Sequence, residues 1–115
     1  MDGVETLAKQ DCIPCKKGTP PLKGAGLENL RKQLGGGWLV VDDHHLEKEF
    51  KFKDFRQALD FTNEVGRLAE EQNHHPDILL SWGKARVTLW THSVGGLSPN
   101  DFILAAKVEQ LPVPA

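Results

Sequence analysis

The sequence predicts an α+β fold: a four-stranded antiparallel sheet with three helices packed on one face, in the order α-β-β-α-β-β-α. Two patterns carry this expectation. Short apolar or alternating runs come in two neighbouring pairs, Trp38–Val41 with Leu46–Phe52 and Ile78–Trp82 with Ala85–His92. Around and between them lie segments whose apolar residues recur at helical spacing. Hairpins alternating with helices give an antiparallel sheet covered by helices on one side. At 115 residues the chain is one domain's worth. Residues 1–24, rich in turn formers, read as an N-terminal extension that is mostly loop, leaving 25–115 as a single domain.

Each element has its own signal. Leu27, Leu30 and Leu34 form a helical stripe, and Gly35-Gly36-Gly37 ends it with residues suited to left-handed geometry. Asp42-Asp43-His44-His45 reads as a solvated turn. In the strand after it, Leu46, Phe50 and Phe52 share one parity and Glu47, Glu49 and Lys51 the other, which makes one dry and one wet face. Asp54 N-caps the longest helix, about 54–72, with Gln57 as its capping-box partner. Ala58, Phe61, Val65 and Leu68 give that helix its apolar stripe. Glu70 and Glu71 stand in its last turn, where the helix dipole disfavours anions. They are either two solvated side chains or part of a site. Ser98 caps the last helix, Pro99 sits at its first position, Asp101 completes a capping box, and Pro112 stops it.

The charge pattern excludes several function classes. The net charge is −2, with both signs mixed along the chain, so no basic stripe points to nucleic acid. No apolar run approaches the roughly 20 residues of a membrane span, and no signal-peptide pattern stands out. The expected compartment is the cytoplasm. Cys12-Ile13-Pro14-Cys15 lies in loop sequence with no second pair, open to three readings: reduced thiols, a shared metal ligand set, or a redox pair.

Chemistry concentrates in His74-His75-Pro76, His92 and Asp101. Histidine exchanges protons near neutral pH where other side chains do not. Taking Gly83-Lys84 as a two-residue turn pairs Trp82 with Ala85, Leu80 with Val87 and Ile78 with Leu89, all on one apolar face. Carried further, the register sets His75 opposite His92, Cβ atoms roughly 5 Å apart. Glu70 lies four residues before His74 and could orient it, and Asp101 could orient His92 or serve only as a cap. A three-histidine zinc site is the rival, but His74 and His75 point to opposite faces of a strand.

Glu70, His74-His75-Pro76, Trp82, His92 and Asp101, at this spacing, resemble the pterin-4a-carbinolamine dehydratases. The resemblance extends to Trp38, to Phe50-Lys51-Phe52-Lys53-Asp54-Phe55, and to Thr91-His92 followed by Gly96-Leu97-Ser98, covering about residues 25–111. It implies dehydration of 4a-hydroxytetrahydropterin to the quinonoid dihydropterin, downstream of an aromatic amino acid hydroxylase, with no metal or organic cofactor. It implies a catalytic set of His74, His75, His92 and Asp101. Of these, His74 and His92 would exchange the protons and His75 would hold the pterin. Glu70, Pro76, Trp82, Thr91, Ser93 and Val94 would border the substrate. It also implies homodimers or homotetramers joined through sheet edges. The alternative is a dimerisation or binding module that keeps the fold without catalysis.

Overall fold

The computed structural model describes residues 3–14, 16 and 18–111. Its elements are α1 (Gly3–Ala8), α2 (Gly24–Leu34), β1 (Leu39–Val41), β2 (His45–Lys51), α3 (Phe55–Gln72), β3 (Asp77–Ser81), β4 (Lys84–Leu89) and α4 (Pro99–Glu109). The four strands form one antiparallel sheet in the order β1-β2-β4-β3. This is the α+β architecture expected, with one helix more than the sequence announces. α1 forms inside the segment read as loop and drives Leu7, 2% exposed, into the core. Lys107 on α4 donates to the Ala8 carbonyl at 2.7 Å, which closes the end of α1. The apolar content of α1 is too short to show a helical period.

One sheet face builds the core. Leu46 and Phe50 of β2 join Ala85, Val87 and Leu89 of β4, with Ile78 of β3 and Val40 of β1 at the margins. α3 lays Ala58, Phe61, Val65 and Ala69 toward the protein interior and packs against β3, β4 and α4. α4 is buried over most of its surface, from Asn100 to Ala106 and at Val108, because α1, α2 and α3 all pack on it. A helix so enclosed must be apolar nearly all round, and Phe102-Ile103-Leu104-Ala105-Ala106 is.

The β3–β4 hairpin departs from the expected register. Ser81 pairs with Lys84, Leu80 with Ala85 and Ile78 with Val87, so Trp82-Gly83 are the turn residues instead of Gly83-Lys84. Gly83 has φ +73° and supplies the left-handed position at the second turn residue. Its carbonyl accepts the Phe52 N–H at 2.7 Å, which docks the turn on the chain leaving β2. The register is displaced by two residues, so every side chain keeps its face. The consequence for the histidines is large, because β4 ends at Leu89. His75 and His92 are not cross-strand partners. Thr91 instead bridges to Gly96 around a 3₁₀ turn at His92–Val94. His44-His45 is also not a bare turn. His45 begins β2, and the half-buried His44 ring packs on Trp90 with centroids 4.6 Å apart.

Candidate active site

His74 is placed by the way α3 ends. Asn73 adopts the left-handed conformation (φ 51°, ψ 42°). The His74 N–H then donates to the Ala69 carbonyl at 3.2 Å and the Asn73 N–H to Glu70 at 3.4 Å. This is a Schellman closure, and it satisfies the carbonyls that a helix end leaves over. It turns the chain sharply, so His74 and His75 leave the helix end before β3 begins and are not strand residues.

Asp101 waits beneath His74. It is 0% exposed and lies in the first turn of α4. Its Oδ2 accepts the Ser98 N–H at 2.9 Å, the reach-back half of the capping box, and the Thr91 hydroxyl at 2.8 Å. Its Oδ1 accepts from His74 Nε2 at 2.6 Å. A carboxylate only accepts, so Nε2 carries the proton and Nδ1 is the ring nitrogen left for a ligand. Capping and site are therefore one device: the same carboxylate starts a helix and orients an imidazole.

The remaining histidines differ in their support. His75 Nε2 meets Glu70 Oε2 at 2.5 Å, an exposed pair. The sequence suggested Glu70 with His74 and Asp101 with His92; the structure pairs Asp101 with His74 and Glu70 with His75. The Schellman turn rotates the chain after Asn73, so the four-residue helical neighbour rule no longer applies. The exposed His92 ring stacks on Trp90, centroids 3.8 Å apart and planes 22° from parallel.

All three rings line one cleft of about 420 Å³. Its walls also include Cys12, Ile13, Pro14, Gln72, Asn73, Trp90, Thr91, Ser93 and Asn100. Among the described residues the lining holds no Lys or Arg, so its titratable groups are the three histidines and Cys12. Several expected border residues lie elsewhere. Trp82 stands at the hairpin tip, 71% exposed and away from the cleft, because the turn falls on it. Val94 is buried behind the 3₁₀ turn, and neither Pro76 nor Glu70 is on the lining, although Glu70 reaches a ring that is. Missed entirely were Trp90, Asn100 and the 12–14 wall. Trp90 precedes Thr91-His92 at the strand exit, where an aromatic beside a histidine was a usable signal. Nothing in the sequence marks Ile13 as a neighbour of His74. Cys12 is half-buried with Sγ 3.5 Å from the Asn100 carbonyl, and Cys15 lies outside the described residues. Among the described residues no group of three or more His, Cys, Asp or Glu is arranged to hold a metal ion.

The sequence model of the family described as "Pterin 4 alpha carbinolamine dehydratase" matches residues 20–111. The chain belongs to that family. A Rubrobacter xylanophilus protein, named as a candidate pterin-4-alpha-carbinolamine dehydratase, is 59% identical over 108 residues, covering 94% of this chain and all of that one. One from Alkaliphilus metalliredigens, named likewise, is 53% identical over 93% of this chain and 96% of its own. Among solved structures, a Brucella melitensis protein described as a transcriptional coactivator/pterin dehydratase superposes with a TM-score of 0.71. It is 32% identical, and the match covers 77% of this chain and 95% of that one. A pterin dehydratase-like protein identified as a RuBisCO assembly factor in the alpha-carboxysome, 23% identical with a TM-score of 0.55, shares the fold; that match covers 66% of this chain and 89% of that one.

Proposed function

We propose that the chain catalyses loss of water from a 4a-hydroxytetrahydropterin. The observation that carries this reading is the convergence of His74, His75 and His92 on one cleft, with His74 held through Nε2 by the buried Asp101. In the reaction the C4a–O bond breaks, a C=N bond forms between C4a and N5, the N5 proton departs and the hydroxyl leaves as water. Hydroxide is a poor leaving group, so one group must donate a proton to it while another accepts one from nitrogen.

His74 suits the base. Its Nδ1 has no protein partner among the described residues, and the anionic Asp101 behind it stabilises the imidazolium that proton capture creates. His92 suits the acid, since its protonated ring would lie on the electron-rich face of Trp90. His75, oriented by Glu70, holds the heterocycle, and Thr91 and Ser93 border it. A cleft of this size, lined by histidines and by amide and hydroxyl side chains, fits a bicyclic heterocycle. Elimination moves no electrons to an acceptor, so these roles need no metal or organic cofactor. The reading places the protein in the recycling of a pterin oxidised by an aromatic amino acid hydroxylase, as a homo-oligomer joined through sheet edges.

A binding module on the same fold would hold the pterin with these histidines without speeding its dehydration. Stopped-flow decay of 4a-hydroxytetrahydropterin separates the two. The native protein should accelerate the decay, and His74→Ala and His92→Ala should each lower kcat by about 10²–10⁴-fold while remaining folded. No acceleration by the native protein, or full activity in both variants, would remove the dehydratase reading.

A further inference from the structure

The segment that closes one side of the cleft takes no part in the proton transfers. Residues 11–14 run from the end of α1 across the ends of α3 and α4. Cys12 N–H donates to Gln72 Oε1 at 2.7 Å. Ile13 N–H donates to Asn100 Oδ1 at 3.0 Å, and Asn100 Nδ2 donates back to the Ile13 carbonyl. One side-chain amide thus grips both backbone polar groups of a single residue, as a neighbouring strand would.

The anchors are telling. Asn100 is buried and adjoins Asp101, which holds His74. Gln72 is the last residue of α3, two positions before His74. The strap is therefore referenced to the two helix ends that position the proposed base. With its backbone fixed, Ile13 leaves its side chain 69% exposed beside Pro14 on the cleft wall. An isoleucine held by its backbone and left largely in water buries little apolar surface for the fold. Covering it with a ligand would remove that apolar surface from water.

We propose that the 11–14 strap is the substrate-selecting wall of the cleft. In this arrangement Ile13 and Pro14 form the apolar surface against the non-reacting part of the ligand, and Asn100 is the positioning residue that sets it there. The identity of the occupant rests on the pterin reading. The C4a–N5 edge must meet the histidines, and C6 is bonded to N5, so the substituent at C6 leaves the ring beside them, where the strap forms the neighbouring wall. An apolar wall favours a short alkyl substituent over a polyhydroxylated one.

The test compares 6-methyl-7,8-dihydropterin with 7,8-dihydrobiopterin as binding probes, measuring their dissociation constants by calorimetry, alongside stopped-flow turnover of the 4a-hydroxytetrahydropterins that bear the same two substituents. Ile13→Ala should weaken binding of the methyl compound about five- to tenfold, and raise KM by a similar factor with a much smaller change in kcat. Ile13→Asp should move the ratio of the two dissociation constants by about threefold or more toward the hydroxylated ligand. Asn100→Ala should act like Ile13→Ala, and the exposed Ile13 variants keep the test decisive if that buried site is needed for folding. Unchanged constants and an unchanged ratio in both Ile13 variants would overturn the wall, whereas the dehydratase reading would stand if His74→Ala still abolished turnover. A native protein that binds neither compound and accelerates no dehydration would overturn both.

Discussion

Asp101 shows how much one side chain carries. It is fully buried and accepts three hydrogen bonds, from the Ser98 backbone, the Thr91 hydroxyl and His74. Asp101→Ala would leave the buried Ser98 N–H without an acceptor and release the Thr91 hydroxyl and His74 from theirs, at a cost of about 3 kcal/mol read by urea denaturation. Asp101→Asn keeps the shape and the acceptor for Ser98 but removes the charge that stabilises a protonated His74. It should cost roughly 1 kcal/mol or less in stability yet lower kcat about 10²-fold. Equal losses of activity and stability in the two variants would mean that Asp101 only caps α4.

At the scale of elements, the helices were legible because their signals are local. The Asp54 cap, the α3 stripe and the Ser98-Pro99-Asp101 start all stand where the pattern set them. The β3–β4 register was not legible. Slipping an antiparallel pair by two residues keeps every side chain on its face, so hydrophobic alternation cannot tell the two alignments apart. The turn decides: with Trp82-Gly83 as its centre, Gly83 takes φ +73°, and a Cβ there would sit 3.2 Å from the Phe52 carbonyl. Gly83→Ala should therefore cost about 1–2 kcal/mol in denaturant melts, with activity little changed since the tip lies outside the cleft. A neutral effect would show that the turn does not depend on glycine. α1 was missed for a related reason: six residues are too few for a period, and packing on α4 and α2 holds them as a helix. Leu7→Ala should cost about 2–5 kcal/mol, as expected for a core leucine.

At the scale of the whole molecule, the cleft is assembled from four separated stretches: the N-terminal strap, the end of α3, the exit of β4 and the start of α4. Sequence spacing identified the histidines and the acid but not who partners whom, since partner choice depends on the Schellman turn and on helix packing, neither of which leaves a periodic trace. The same scale governs association. With the order β1-β2-β4-β3, the sheet has two edges, β1 of three residues and β3 of five. An unpaired edge offers backbone donors and acceptors to a second copy unless something blunts it. β3 is the longer edge, its one charge is Asp77 at its start, and Leu79 at its centre is exposed. Joining through β3 would turn two four-stranded sheets into one continuous sheet and cover Leu79. The native protein should then sediment as a dimer or a tetramer. Leu79→Lys, which places a charge on that edge without touching the core, should shift the population toward monomer by about tenfold or more in dissociation constant. Because the cleft lies beside helix ends and not along β3, dehydration per subunit should survive the shift. A variant that sediments like the native chain would exclude β3 as the joining edge and leave β1, blunted by its short length, as the only edge through which the sheets could pair.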